Sequence, residues 1–383
     1  MTLNTPNDRW HFLTTLAHPR EVVQRFTPNW FSVTMGTGIL AIGLGQFPQV
    51  AVLQQAGEAL WLANIVLFLL FSTAYAARWT LYFDGARRIL DHSSMSMFLG
   101  CIPMGLATIV NGFLLFGVPL MGDLALQIAE VLWWIDAAVA MVVGLGVPFL
   151  MFTRHVHSME QMTAIWLLPF VACEVAAASG GLLLPHIGDS AMQLNVLVTS
   201  YVLWACSVPL AMSIIVILVL RLAIHKLPHE SMAASSWLAL GPIATGALGM
   251  MLFAQNGPSV LVANGLGTYA DAIGGASMLV GILLWGYGVW WTAMATMITM
   301  RYFRSHVPFN LGWWGYTFPL GVFAVATLRL GAILPVGVIQ ALGTLLVGAL
   351  AVIWMTVMVR TLAGAWNGRL FVSPCLQGQQ VGV

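Results

Sequence analysis

One apolar stretch of the chain carries an aromatic ring, a proline and an arginine at spacings that suit transport chemistry. Phe318 stands directly before Pro319, and on a helix it shares a face with Val322 and Val325. Arg329 follows on that face, roughly 16 Å along the helix axis from Phe318. A cation within a membrane segment is a functional-site hypothesis by default. The pattern predicts a ring, an apolar wall and an anion-attracting cation along one path; the alternative is a lipid-facing Phe318 and an arginine that snorkels to the headgroups.

The proline predicts a distortion of that segment. Pro319 has no N–H and clashes with the carbonyl four residues earlier, on Gly315. We expect a kink, and the freed carbonyl must find another partner or line a wet cavity.

The composition places most of the chain in lipid. Of 383 residues, 60% are hydrophobic and 7% are charged, whereas a soluble chain is about 25% charged. The net charge of +1 says nothing about nucleic acid, and no basic run suggests a nucleic-acid partner. The histidines and cysteines lack metal-ligand spacing, and no phosphate-binding glycine loop occurs, so neither a metal nor a cofactor is expected.

The hydrophobic pattern predicts an all-α membrane protein with ten spans of about 20 residues. The predicted spans are 27–46, 58–79, 94–116, 124–152, 163–184, 193–220, 237–255, 271–300, 311–331 and 335–360. They form one transport domain, 27–360. Residues 1–26 before it suit a helix lying on the membrane surface, and residues 361–383 form a tail.

The basic residues predict the orientation. Thirteen of the fourteen lysines and arginines fall at one side of the ten-span arrangement, and the fourteenth, Arg329, lies within the ninth span. The positive-inside rule therefore puts both termini in the cytoplasm.

Prolines repeat at the spacing of a helical hairpin. Pro103, Pro169, Pro242 and Pro319 lie in the first halves of alternate spans, 66, 73 and 77 residues apart. The first span has Gly36 and Gly38 instead. Five hairpins with one distorted helix each predict a ring around a central pore, with these residues and Gly315 as pore lining or kinks. The alternative is that glycines and kinks only permit close packing.

Two carboxyl groups fall near the middle of predicted spans. Glu174 lies five residues after Pro169, where a lone carboxyl must be neutral or paired. It is a proton-coupling site, a partner for Arg329, or a neutral structural acid that bonds a backbone carbonyl beside the kink. Asp136 on the fourth span favours a hydrogen bond between helices.

Two motifs resemble a known family. Phe26-Thr27-Pro28-Asn29-Trp30-Phe31 with Met35-Gly36-Thr37-Gly38, and Trp313 to Pro319, are similar to the tellurite-resistance/dicarboxylate transporter family. That family includes TehA, malate permeases, sulfite efflux pumps and the plant slow anion channels. The resemblance implies five hairpins around a pore, a homotrimer with one pore per subunit, and a phenylalanine at 318 that occludes the pore. The first motif looks closest to the bacterial dicarboxylate/malate branch.

The resulting hypothesis is an anion transporter or channel of the inner membrane. C4-dicarboxylates such as malate are the first candidates for its substrate, passing through a pore gated by Phe318. The alternatives are a proton-coupled carrier that uses Glu174, or an efflux protein for sulfite, tellurite or other inorganic anions. A membrane enzyme or scaffold has the least support, because no paired carboxylates with a nucleophile, cofactor motif or soluble domain occur.

Overall fold

The computed structural model describes residues 12–305 and 307–377, and over that range the chain is helical without strands. Ten helices, named α1 to α10 in chain order, organise the fold. They are Phe31–Leu44, Ala51–Leu81, Cys101–Gly112, Asp123–Thr153, Leu168–Leu183, Ser190–His225, Leu240–Ala263, Ala270–Tyr302, Phe318–Ile333 and Gly337–Trp366. Helix α3 continues through a π-helical turn, Phe113–Gly117, into Val118–Met121.

The predicted count of ten spans is not confirmed. Nine helical stretches of the described chain are long and apolar enough to cross a membrane. The exception is α1, which has 14 residues and is preceded by a three-residue 3₁₀ turn, Pro28–Trp30. A bilayer core needs about 20 helical residues, so α1 is short for a span.

The segments at both ends are only partly described. Residues 1–11 of the predicted surface helix lie outside the described residues, and the remainder contains one short helix, Glu21–Gln24. Helix α10 ends at Trp366, six residues past the predicted limit of the transport domain. The described part of the C-terminal segment, 367–377, is called the tail below.

The five odd-numbered helices form a closed inner ring. Each of them packs against the next odd-numbered helix, and α9 packs against α1, which closes the circle. Each even-numbered helix packs outside, in the groove between its hairpin partner and the following odd-numbered helix. In the apolar windows of α3, α5, α7 and α9, 67% to 94% of residues are buried, against 17% to 33% in the even-numbered helices. The inner ring is therefore the protein core, and the outer helices present their free faces to lipid.

A tryptophan on every outer helix donates a hydrogen bond to the next hairpin's inner helix. The acceptor is a backbone carbonyl on α3, α5 and α7 and a threonine hydroxyl on α9 and α1. The five bonds are Trp61 to Ile109 O at 3.2 Å, Trp133 to Ala176 O at 2.8 Å, Trp204 to Gly246 O at 3.1 Å, Trp285 to Thr327 Oγ1 at 3.0 Å and Trp354 to Thr37 Oγ1 at 3.1 Å. Each hairpin is thus tied to its neighbour, including the last to the first.

Glycines on the inner helices let these indole rings come close. A methyl group on Gly180 would lie 2.7 Å from Cζ2 of Trp133, and one on Gly112 would collide with the ring of Trp61. Small residues at helix contacts allow the backbones to approach. Here they bring an indole N–H within reach of a helix carbonyl, so an amphipathic ring finds its polar partner inside the apolar core.

Every inner helix changes geometry at its start. Short 3₁₀ turns precede α1, α3, α5 and α9, and a four-residue helix, Ser235–Leu238, precedes α7. Pro169 and Pro319 stand second in their α-helices, where a missing N–H leaves no bond unmade. The expected kink within a continuous helix is therefore wrong for these two: each proline lies in the first turn of an α-helix that begins after a 3₁₀ segment. Pro103 and Pro242 stand third in theirs.

The indole ties predict different costs for two adjacent tryptophans of α4. Trp133 is fully buried and bonded, whereas 36% of Trp134 is exposed on the outer face. Trp133→Phe should lower the free energy of unfolding by about 1–3 kcal/mol, because it deletes the N–H and part of a packed ring. Trp134→Phe is the control and should change it by less than about 0.5 kcal/mol. Unfolding of the purified protein in detergent measures both; equal effects would contradict the proposed tie.

Candidate functional site

The starts of the five inner helices surround a cavity of about 470 Å³. First- or second-turn residues of all five helices form its wall: Ser32 and Met35, Cys101 and Met104, Leu168 and Val171, Gly241, and Phe318 and Pro319. The cavity opens to solvent beside the exposed residues Ser94 and Arg369, and this end is called the mouth. Both described ends of the chain lie on this face, since Thr15 bonds the carbonyl of Asn367.

The wall is mostly apolar, with a polar fringe and one cation. Its polar residues are Asn29, Ser32, Ser94, Ser231, Ser235 and Asn310, and its sulfur-bearing residues are Met35, Met95, Cys101, Met104 and Met232. Arg369 from the tail is its one basic residue, and no aspartate or glutamate lines it within the described chain. The cavity can therefore admit an anion without meeting a carboxylate.

Phe318 is a buried part of the cavity wall. It lines the wall and is only 4% exposed. The next residues on its helical face, Val322 and Val325, are 4% and 5% exposed and do not line the cavity. Along α9 the open space therefore does not extend past the first turn, and the occluding role of Phe318 stays a prediction.

The other predicted wall residues divide into two groups. Gly315 and Pro319 line the cavity. Gly36 lies against Trp314 and Thr317 of the ninth segment, and Gly38 lies against Thr108 and Asn64. These two glycines thus have a packing role, and their place on a pore wall stays a prediction.

The prolines of α3, α5 and α7 do not line the cavity. Pro103, Pro169 and Pro242 are buried in the first turns of their helices. They set the geometry of the helix starts whose neighbouring residues form the wall.

Arg329 lies near the far end of α9 and is half-buried. No hydrogen bond or ion pair joins it to another described residue, so the pairing with Glu174 considered from the sequence does not form. Its role in attracting anions stays a prediction.

Glu174 is fully buried and does not line the cavity. Neither of its carboxyl oxygens has a hydrogen-bond partner, and the same holds for Asp136 on α4. Ser207 of α6 lies beside Glu174, but its hydroxyl donates to the carbonyl of Phe170 at 2.7 Å. The expected bond from Glu174 to a backbone carbonyl is therefore absent. An unpaired charge is too costly in such a place, so we expect both acids to be neutral.

Sequence reasoning missed the contribution of the tail and the pattern of the outer tryptophans. Arg369 was counted only as a cytoplasmic cation. The five bonded tryptophans recur 72, 71, 81 and 69 residues apart, at hairpin spacing like the prolines. That period was available in the sequence, although sixteen tryptophans in total conceal it.

Comparison with known proteins identifies the family. Residues 25–362 match the family model described as voltage-dependent anion channel. The chain belongs to this family. A sulfite efflux pump of Arthroderma benhamiae is 38% identical over 356 residues, which cover 91% of this chain and 93% of the relative. A malic acid transport protein of Schizosaccharomyces pombe is 24% identical over 348 residues, covering 88% of this chain and 77% of the relative.

These matches confirm the resemblance drawn from the two motifs. The family and its named members are channels and transporters, which fits a protein that is not an enzyme. They do not confirm malate as the substrate, because the similarity to sulfite efflux pumps is higher and extends over more of the relative's length. A further relative, an uncharacterized transporter of Methanocaldococcus jannaschii, is 25% identical and covers 92% of this chain.

The position of Glu174 predicts a mild phenotype for Glu174→Gln. The amide has nearly the shape of a neutral carboxyl, and the group lies away from the cavity. We expect unchanged pH dependence of anion flux in liposomes and a free energy of unfolding within about 1 kcal/mol of the parent. Asp136→Asn on the outer helix is the matched control. Loss of pH-driven accumulation with retained substrate exchange in Glu174→Gln alone would instead make Glu174 a proton-coupling group.

Proposed function

We propose that this protein exports small inorganic oxyanions, of which sulfite is the first candidate, along the axis of the inner ring. The observation that carries the proposal is the cavity itself. It is lined by all five inner helices, carries Arg369 and no carboxylate among its described lining residues, and has the buried ring of Phe318 in its wall. The family and the sulfite efflux pumps support an anionic substrate.

The helix starts give the cavity a positive potential. A helix N-terminus carries roughly half a positive charge, and five such ends lie in one wall. Part of their N–H groups is already bonded by the preceding turns; Thr317, for example, donates to Trp314 O at 3.0 Å. The helices thus attract an anion by their field without holding it in a tight cage, as conduction requires.

The choice of sulfite over malate rests on the relatives. A cavity of about 470 Å³ admits either anion, so its size does not discriminate between them. The sulfite efflux pump shares 38% identity with this chain and the malic acid transport protein 24%. We therefore prefer the inorganic anion, and malate becomes the competing substrate in the test.

Direction and assembly complete the proposal. The positive-inside rule puts the mouth and both termini on the cytoplasmic side of the inner membrane, so the cavity collects its anion from the cell interior. The lipid-facing outer helices leave room for a homotrimer with one path per subunit, as the resemblance implies.

In this proposal, Phe318 keeps the path shut. Its buried ring lies in the cavity wall, and Val322 and Val325, which follow it on the same face of α9, do not line the cavity. A ring in a narrow apolar constriction excludes water and ions. Removing the Phe318 side chain should connect the cavity with the opposite end of the helix assembly.

Phe318→Ala should therefore raise sulfite flux in proteoliposomes, normalised to folded protein. Phe318→Leu is the matched control, since it retains most of the bulk and should stay largely shut. If Phe318 only packs the core, the alanine variant loses about 3–5 kcal/mol of stability and flux falls with it. An alanine variant that is folded and no leakier than the parent would contradict the gate. If the parent and Phe318→Ala both carry malate faster than sulfite, the choice of substrate is overturned.

A further inference from the structure

We infer that Arg369, on the tail after the last helix, forms a capture site for small oxyanions at the mouth. The inference rests on the proposed function and deepens it by assigning the residue that first binds the substrate. Arg369 is the one basic side chain among the described residues that line the cavity, and it is exposed at the open end.

The guanidinium group of Arg369 is free to bind a ligand. Its Nε donates to Oδ1 of Asn367 at 3.1 Å, which orients the group, and no carboxylate of the described chain lies within ion-pair distance. The terminal nitrogens make no hydrogen bond to the described protein. A guanidinium fork matches the geometry of an oxyanion, to which it can donate two parallel hydrogen bonds.

Contacts with the rest of the protein hold the tail in place at the mouth. The Phe371 ring stacks on Trp30, with ring centroids 4.9 Å apart. Fully buried Arg78 donates from Nη2 to Oγ of Ser373 at 3.1 Å, and from Nη1 to the carbonyl of Phe26. The tail therefore joins the start of the ring through Trp30 and Phe26, and it holds Arg369 at the mouth.

Hydrogen-bonding side chains line the same cavity as this cation. Asn29, Ser94, Ser231 and Asn310 line the same cavity, and they come from four segments of the chain. The rest of the wall is mostly apolar and includes Phe318. An entering anion would thus replace part of its hydration with hydrogen bonds from Arg369 and the polar side chains. It would then be stabilised by the positive ends of the inner helices. The site raises the local anion concentration on one face of the membrane only.

The test compares Arg369→Gln and Arg369→Lys with the parent. Arg304→Gln is the matched control, because Arg304 is an exposed cation on the same face that does not line the cavity. Sulfite-dependent transport is measured in oriented liposomes with sulfite supplied to each face in turn. Maximal rates are normalised to folded protein, and the experiment is repeated in 1 M inert salt.

Arg369→Gln should raise the half-saturating sulfite concentration on the mouth face by roughly three- to tenfold, with no change on the opposite face. Arg369→Lys should recover part of the loss, because it retains the charge but not the fork. At 1 M salt the Debye length falls to about 3 Å, and the difference between parent and Arg369→Gln should shrink.

Three outcomes would overturn the capture site. In the first, the parent and Arg369→Gln both transport sulfite and have the same half-saturating concentration on the mouth face. The proposed function would then stand without the capture site. Another is an equal shift in Arg304→Gln, which would reduce the effect to general surface charge. A parent that moves no sulfite and no other small anion would overturn the proposed function together with the site.

Discussion

The fold depends on a closed circle of five indole hydrogen bonds. Each outer helix uses one tryptophan to hold the inner helix of the next hairpin, and the last hairpin holds the first through Trp354 and Thr37. Within lipid, helices gain little from apolar contact alone, so packing and polar contacts between helices must fix their positions. An open row of hairpins would leave its two end helices without this partner. Closure removes the ends and brings the five helix starts to one level, where they surround the cavity.

The same closure gives the cavity its chemistry. Because the hairpins are parallel repeats, every inner helix begins on the same face and its positive end contributes to one field. The short turns before the inner helices place the helix starts below the surface, around a mostly apolar wall. In the proposed function, these helix starts give the cavity a positive potential. In the proposed function, such a space attracts an anion and binds it weakly, and Phe318 closes it.

Some of this architecture could be predicted from residue spacing and some could not. Prolines at hairpin intervals predicted the ring, since a periodic pattern reports a repeated local structure. The meaning of Pro319 was missed, because a proline in an apolar run predicts a kink equally well as a helix start. The length of α1 was overestimated, since hydropathy does not show where its helix ends after Leu44. Arg369 reaches the mouth only through contacts with residues over 290 positions away, such as Arg78 with Ser373, and no local pattern encodes them. Glu174 looked functional because the sequence does not show which way its face of α5 points. In the structure that face points away from the cavity.

The central claim is that one path runs along the ring axis and is shut at Phe318. Thiol accessibility tests it directly in a protein whose native cysteines have been replaced. A cysteine at Ser235, on the cavity wall, should react quickly with a small charged thiol reagent added to the mouth face. A cysteine at Val322, beyond the ring, should react slowly in the parent background and quickly once Phe318 is alanine. If Val322→Cys reacts at the same rate in both backgrounds, the path does not pass Phe318 and the account fails.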